Sequence, residues 1–149
     1  MNAIARLISV GLVAALPIAA SAVSFAKPEQ AIKYRQSTFS VMAAHFSDIG
    51  AMVKGEKPFD AKEAAANANV VATLSALPWS GFGPGTEGGK AKPAIWKEMD
   101  KVKAGAADLQ KAAANLKVAA DSGNLDNIKK AFGATAQTCK ACHDSYKDK

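Results

Sequence analysis

Cysteine and histidine are scarce in this 149-residue chain: two of each, Cys139, Cys142, His45 and His143. That scarcity excludes a disulfide framework. A structural zinc site takes about four ligands, and the chain offers only these four candidates. Aromatic residues make up 7% of the chain, and β-branched residues form few runs. Nothing reads as a strand, and the abundance of Ala and Lys favours helix. Beyond residue 22 no segment approaches the roughly 20 apolar residues that cross a bilayer. The formal charge is +6. Such a surface suits nucleic acid, an anionic membrane or an acidic protein. The lysines are spread along the chain without a dense cluster, so they read as solvated helix faces, and nucleic acid is not expected as a partner.

The first residues have the form of an export signal. Arg6 supplies a positive start, Leu7 to Ala20 an apolar stretch, and Ala20-Ser21-Ala22 a small-x-small cleavage site. Residues 1–22 are expected to be a signal peptide cleaved after Ala22, with Ser24-Phe25-Ala26 as the second candidate site. Residues 23–149 form the mature domain, which carries a formal +5 once Arg6 is gone and is expected in the periplasm.

Four helical stretches follow. The first is expected from Pro28 to about Val53, with Ile32, Phe39, Phe46 and Val53 recurring every seven residues and Met42 and Ile49 interleaved. The second runs from Asp60, whose spacing to Glu63 suggests a capping box, to Leu77, where Pro78 stops it. Residues 78–93 (PWSGFGPGTEGGKAKP) read as a loop. It is long for a bundle connection and carries Trp79 and Phe82, which are costly to leave in water. The third stretch begins near Pro93, has Ile95, Met99, Val102, Leu109 and Leu116 on one side, and breaks at Asp121-Ser122-Gly123. The fourth starts at an Asn124 cap and aligns Leu125, Phe132, Cys139 and Tyr146. The expected fold is all-α, an antiparallel up-down-up-down four-helix bundle.

Cys139-Lys140-Ala141-Cys142-His143 is the attachment signature of a c-type haem. Positions i, i+3 and i+4 share one helix face. Two thiols on that face can add to the two vinyl groups at a haem edge while the imidazole reaches the iron from the same side. A disulfide closing so small a loop would stabilise little. A thioredoxin-like pair belongs at the start of a helix in an α/β chain, and this one lies deep in the last helix of an all-helical one. One covalent haem c is therefore the expected cofactor, with His143 as the axial ligand of iron.

For the sixth iron position the candidates are His45, Met42, Met52, Met99 and lysines. Methionine ligation would suit electron transfer, and Met42 lies on the seam, where it also serves as ordinary core filler. Arg35 is in phase with Met42 and Ile49. A charge there needs a partner, which a haem propionate would supply; the alternative is an arginine that reaches water near a helix end. Phe39, one turn on, would lie over the haem face and leave the iron five-coordinate.

The stretches KPEQAIKYRQS, TLSALPW, FGPGTEGG and AFG…CKACHDSYK together make the mature chain resemble the cytochrome c-prime family. The resemblance implies a high-spin pentacoordinate haem that binds nitric oxide, and carbon monoxide weakly, in a homodimer built through the first helices. It also places Arg35 and the adjoining Gln36 near the haem propionates, and Thr86 and Glu87 in a loop at the haem edge. Two positions differ from common family residues. Phe39 stands where leucine is frequent and would crowd the distal wall. Lys147, on the proximal side, replaces a frequent arginine with a point donor. The expected function is gas binding, electron transfer or both. The redox protein partner is not indicated by the sequence. The alternative is a low-spin bundle cytochrome with Met42 on iron. Enzymatic catalysis is not expected, because Phe39 supplies no proton donor to the distal side.

Overall fold

The computed structural model describes residues 23–149, so the leader expected at residues 1–22 lies outside the described part. Four long helices form the frame: α1 (Pro28–Lys54), α2 (Ala61–Leu74), α4 (Met99–Asp121) and α5 (Leu125–Tyr146), with a short α3 (Ala94–Lys97) before α4. Helices α1 and α2, α2 and α4, and α4 and α5 pack in sequence, and α1 meets α5 to close the ring. This is the antiparallel bundle that the helical spacing predicts.

Each helix end has a local cause. Pro28 occupies the first turn of α1 without forfeiting a needed N–H. Gly55 closes α1 at φ 76°, and its N–H reaches the Ala51 and Met52 carbonyls. Asp60 caps α2 by accepting from the N–H groups of Lys62 (2.8 Å) and Glu63 (3.0 Å). The Glu63 carboxylate accepts from Lys57 at 2.6 Å instead of turning back to the cap, so only half of the expected capping box forms. Asn124 caps α5 by accepting from the Asn127 N–H at 3.0 Å.

The core is narrow because it is rich in alanine. Ile49, Met52, Ala64, Ala68, Leu116 and Ile128 pack one end, and Met42, Val71, Leu109 and Ala113 the other. Burying Ile49, Leu116 or Ile128, each almost fully enclosed, contributes about 1.5–3 kcal/mol apiece. Phe46 of α1 stacks on Phe132 of α5 with ring centroids 4.2 Å apart. The deepest residues of α1 are Ala31, Arg35, Thr38, Met42, Ile49 and Met52. The expected row Ile32, Phe39, Phe46 and Val53 is only half-buried beside them, so the seam is turned by about one position from the aromatic row.

Three boundaries differ from the sequence reading. Helix α2 stops at Leu74, not Leu77. Pro78–Phe82 forms a 3₁₀ turn inside the expected loop, anchored by the Trp79 indole N–H donating to the Ser75 carbonyl at 2.7 Å. The third stretch is broken at Glu98, whose φ of −121° and ψ of 36° are not helical. There the Glu98 carboxylate accepts from the Tyr146 hydroxyl at 2.6 Å, tying the break to the end of α5. Among the described residues no helix is long and apolar enough to cross a membrane.

Candidate functional site

A largely apolar cavity of about 770 Å³ opens between α1, the 3₁₀ turn, residues 88–91, α4 and α5. Its size is that of a small-molecule or cofactor site. From α5 it is lined by Cys139, Cys142, His143, Tyr146 and Lys147; from α1 by Arg35, Gln36, Phe39 and Met42; from the turn by Trp79 and Phe82.

An unbroken helix carries Cys139, Cys142 and His143, which puts the three on one face. Both cysteines are free thiols, half-buried. Burial pushes both thiols above their usual range; the Thr138 hydroxyl opposes this at Cys139, and the neighbouring sulfur adds to it at Cys142. Both are thus biased toward the neutral S–H form. His143 is exposed at the edge of the cavity; the partial desolvation it does have lowers its pKa, Lys147 lowers it further and Asp144 pulls the other way. The imidazole is thus biased to its neutral form, the one that ligates metal. Among the described residues no group of three or more His, Cys, Asp or Glu could hold a bare metal ion. Two thiols, one imidazole and a large apolar cavity instead fit a planar organic group that brings most of its own ligands to iron. The residues present fit a covalent haem.

The first helix supplies the opposing features. Arg35 is only 2% exposed, so it does not reach water near the helix end. Its guanidinium donates to the carbonyls of Gly81 (2.5 Å), Thr86 (2.7 Å) and Gly88 (2.9 Å). It also lies over the rings of Phe82 (4.5 Å) and Trp96 (5.4 Å). The partners that neutralise the misfit on the seam are thus loop carbonyls some fifty residues away. Arg35 still lines the cavity, but its bonding brings the loop onto α1. Gly81 makes this approach possible: a Cβ there would come within 2.7 Å of the Ala31 carbonyl oxygen and 2.9 Å of the Arg35 Cβ. Phe39 packs edge-on to Trp79 (5.7 Å) and Phe82 (6.4 Å), forming an aromatic wall.

Thr86 and Glu87 are not among the residues lining the cavity; they stand in the adjoining loop that Arg35 holds to α1. The Thr86 hydroxyl donates to the Gly83 carbonyl at 2.7 Å and accepts from Arg35 at 3.3 Å. It braces the loop from within. Glu87 is exposed, and its charge partly offsets the fall in the Arg35 pKa that burial causes. Of the candidate iron ligands, Met42 lines the cavity, whereas His45, Met52 and Met99 do not. His45 is held by Asn67 at 2.7 Å between α1 and α2, and Met52 belongs to the far core cluster. Trp79 and Phe82, flagged by the cost of exposing them, become cavity wall. The contributions of Lys90, Ala91 and Thr135 had no sequence signal, since chain folding alone brings them to the site.

Comparison with known proteins agrees with this geometry. The family profile described as Cytochrome C' matches residues 30–147. The chain is 50% identical over 125 residues to cytochrome c' of Alcaligenes xylosoxydans xylosoxydans, covering 84% of this chain and 98% of that one. It is 47% identical over 128 residues to cytochrome c' of Rubrivivax gelatinosus, covering 84% and 99%. A solved nitric oxide complex of a leucine-to-alanine variant of the Alcaligenes xylosoxidans cytochrome c prime superposes with a TM-score of 0.81 at 50% identity, covering 85% of this chain and 99% of that one. On the matched profile, these relatives and the cavity built around Cys139, Cys142 and His143, the chain belongs to the cytochrome c' family, whose members bind haem c covalently.

Proposed function

We propose that the mature protein is a periplasmic monohaem cytochrome whose high-spin, five-coordinate iron binds nitric oxide, binds carbon monoxide weakly, and exchanges electrons. The observation that carries this reading is the shared face of Cys139, Cys142 and His143 on an apolar cavity walled by Phe39. Cys139 and Cys142 would hold the haem as thioethers, each S–H adding across one vinyl group with its hydrogen going to carbon. His143 would hold the iron through its imidazole, which is biased to the neutral form. When bound, the haem supplies a redox-active iron with one open coordination site. Phe39, Trp79 and Phe82 form an aromatic wall that keeps that side apolar. Arg35 and Gln36 stand on the cavity wall from α1, where the Arg35 cation would offset propionate charge and the Gln36 amide would donate a hydrogen bond. Lys147 lies one turn beyond His143, on the proximal side. The reading is of a binding and redox protein, not an enzyme, because the aromatic wall offers no proton donor.

The relatives support the gas-binding part: a nitric oxide complex and a nitrosyl complex are solved for variants of the Alcaligenes protein. Export rests on the pattern of residues 1–22. A homodimer through α1 rests on the family resemblance, and the 48% exposed Val41 on that helix is consistent with it. A second reading, low-spin with Met42 on iron, is favoured by one observation: Met42 lines the cavity. Titrating the purified ferrous protein with nitric oxide separates the two. The proposal expects broad high-spin absorption that converts to a nitrosyl spectrum. Sharp low-spin bands indifferent to nitric oxide would establish the second reading instead.

A further inference from the structure

A second cleft, of about 420 Å³, adjoins the cavity on the His143 side and shares Lys90, His143, Asp144 and Lys147 with it. Lys92 and Lys149 complete its basic wall. Two backbone bonds fix the two segments that form it: Lys92 N–H to the Tyr146 carbonyl (3.0 Å) and Asp148 N–H to the Lys90 carbonyl (2.9 Å). Lysines that are scattered in the sequence therefore converge in space. With Lys140, which also lines the cavity, five lysines face two aspartates, Asp144 and Asp148. Side chains thus give an excess of three positive charges here, of the five that residues 23–149 carry in all. Asp144 is already paired with Lys140. Among the described residues Lys90, Lys92, Lys147 and Lys149 have no acidic partner within ion-pair distance.

We propose that this cleft is the docking face for the carboxylate-rich surface of a one-electron carrier protein. The inference rests on the reading that the cavity holds haem and goes beyond it by assigning the face and charge of the redox partner. The partner would be oxidised by one electron, which the ferric haem held by Cys139, Cys142 and His143 would accept. Complementary charge steers encounter and is screened by salt. Four lysines free of ion pairs, held beside the axial histidine, are placed to provide that steering.

The test uses the haem-loaded protein and a reduced, acidic plant-type ferredoxin as probe, with rates measured by stopped flow over a range of ionic strength. The expected rate falls steeply with salt, and Lys90→Gln with Lys92→Gln lowers the low-salt rate about tenfold. Lys62→Gln with Lys130→Gln removes the same charge from the far end of the bundle and is expected to leave the rate nearly unchanged. Carbodiimide coupling of the mixed proteins, mapped by mass spectrometry, reads docking without electron transfer and is expected to join Lys90, Lys92, Lys147 or Lys149 to ferredoxin carboxylates. Equal effects of the two double variants, or cross-links confined to lysines elsewhere, would overturn the docking face while leaving the haem reading intact. A protein with no haem to reduce would overturn both.

Discussion

The Arg35 guanidinium donates to the Gly88 carbonyl at 2.9 Å, joining the first helix to the loop that edges the cavity. With the Gly81 and Thr86 carbonyls on the same group, one buried cation organises the chain from residue 81 to 88. Replacing it with alanine strands three carbonyls. Arg35→Ala is expected to cost about 2–4 kcal/mol, read as a lowered urea midpoint. Arg35→Lys should recover little of that, because an ammonium lacks the planar fork that reaches three acceptors.

Gly81 is the other half of that junction. Gly81→Ala places a methyl against the Ala31 carbonyl and the Arg35 Cβ, where neither can move freely. The expected loss is about 1–3 kcal/mol, typical of overpacking, with a broadened haem absorption band as the loop shifts. An unchanged urea midpoint would show that α1 and the turn are not in the close contact described.

Phe39→Ala should bind carbon monoxide faster and more tightly, by about tenfold, which corresponds to 1.4 kcal/mol. The cause is removal of the ring that packs edge-on to Trp79 and Phe82 at the cavity wall. Flash photolysis gives both rates. An affinity equal to wild type would remove Phe39 from the distal wall.

Acid should destabilise the protein through Asp48 and Asp60. Asp48 is held below its ordinary value of 3.8 chiefly by the hydrogen bond from Lys57, and Asp60 chiefly by the Glu63 and Lys62 N–H groups. A carboxylate with a depressed folded-state pKa stabilises in full above its unfolded value and loses that contribution as pH falls through the folded value. Urea midpoints are expected to hold steady above the ordinary carboxylate range and to drop below it. Asp60→Asn, which keeps a capping oxygen without the charge, should flatten that drop.

The bundle was legible because Ile49, Leu109, Leu116 and Phe132 repeat at helical spacing, and periodicity reports which face is buried. The attachment face was legible because three residues of one helix carry it. The break at Glu98 was not, since Ile95, Met99 and Val102 keep helical spacing across it and the stabilising contact comes from Tyr146, forty-eight residues on. Arg35 shows the same limit. Its place on the seam announced that a partner was needed, but the Gly81, Thr86 and Gly88 carbonyls that meet it carry no sequence identity. The expected contacts of Thr86 and Glu87 rested on resemblance alone, and neither residue is part of the cavity lining. The lysine cleft was hidden because Lys90 and Lys147 are remote in sequence and meet only through the backbone bonds of Lys92 and Asp148.

Covalent capture of haem by Cys139 and Cys142 underlies every haem-dependent role proposed above. Its most direct test is acid–acetone extraction of the protein after expression with its leader in a host that attaches c-type haem. The account predicts a coloured polypeptide that keeps its haem through extraction, and a Cys139→Ala, Cys142→Ala variant that does not. A colourless wild-type protein, its two sulfurs free or joined to each other, would contradict it.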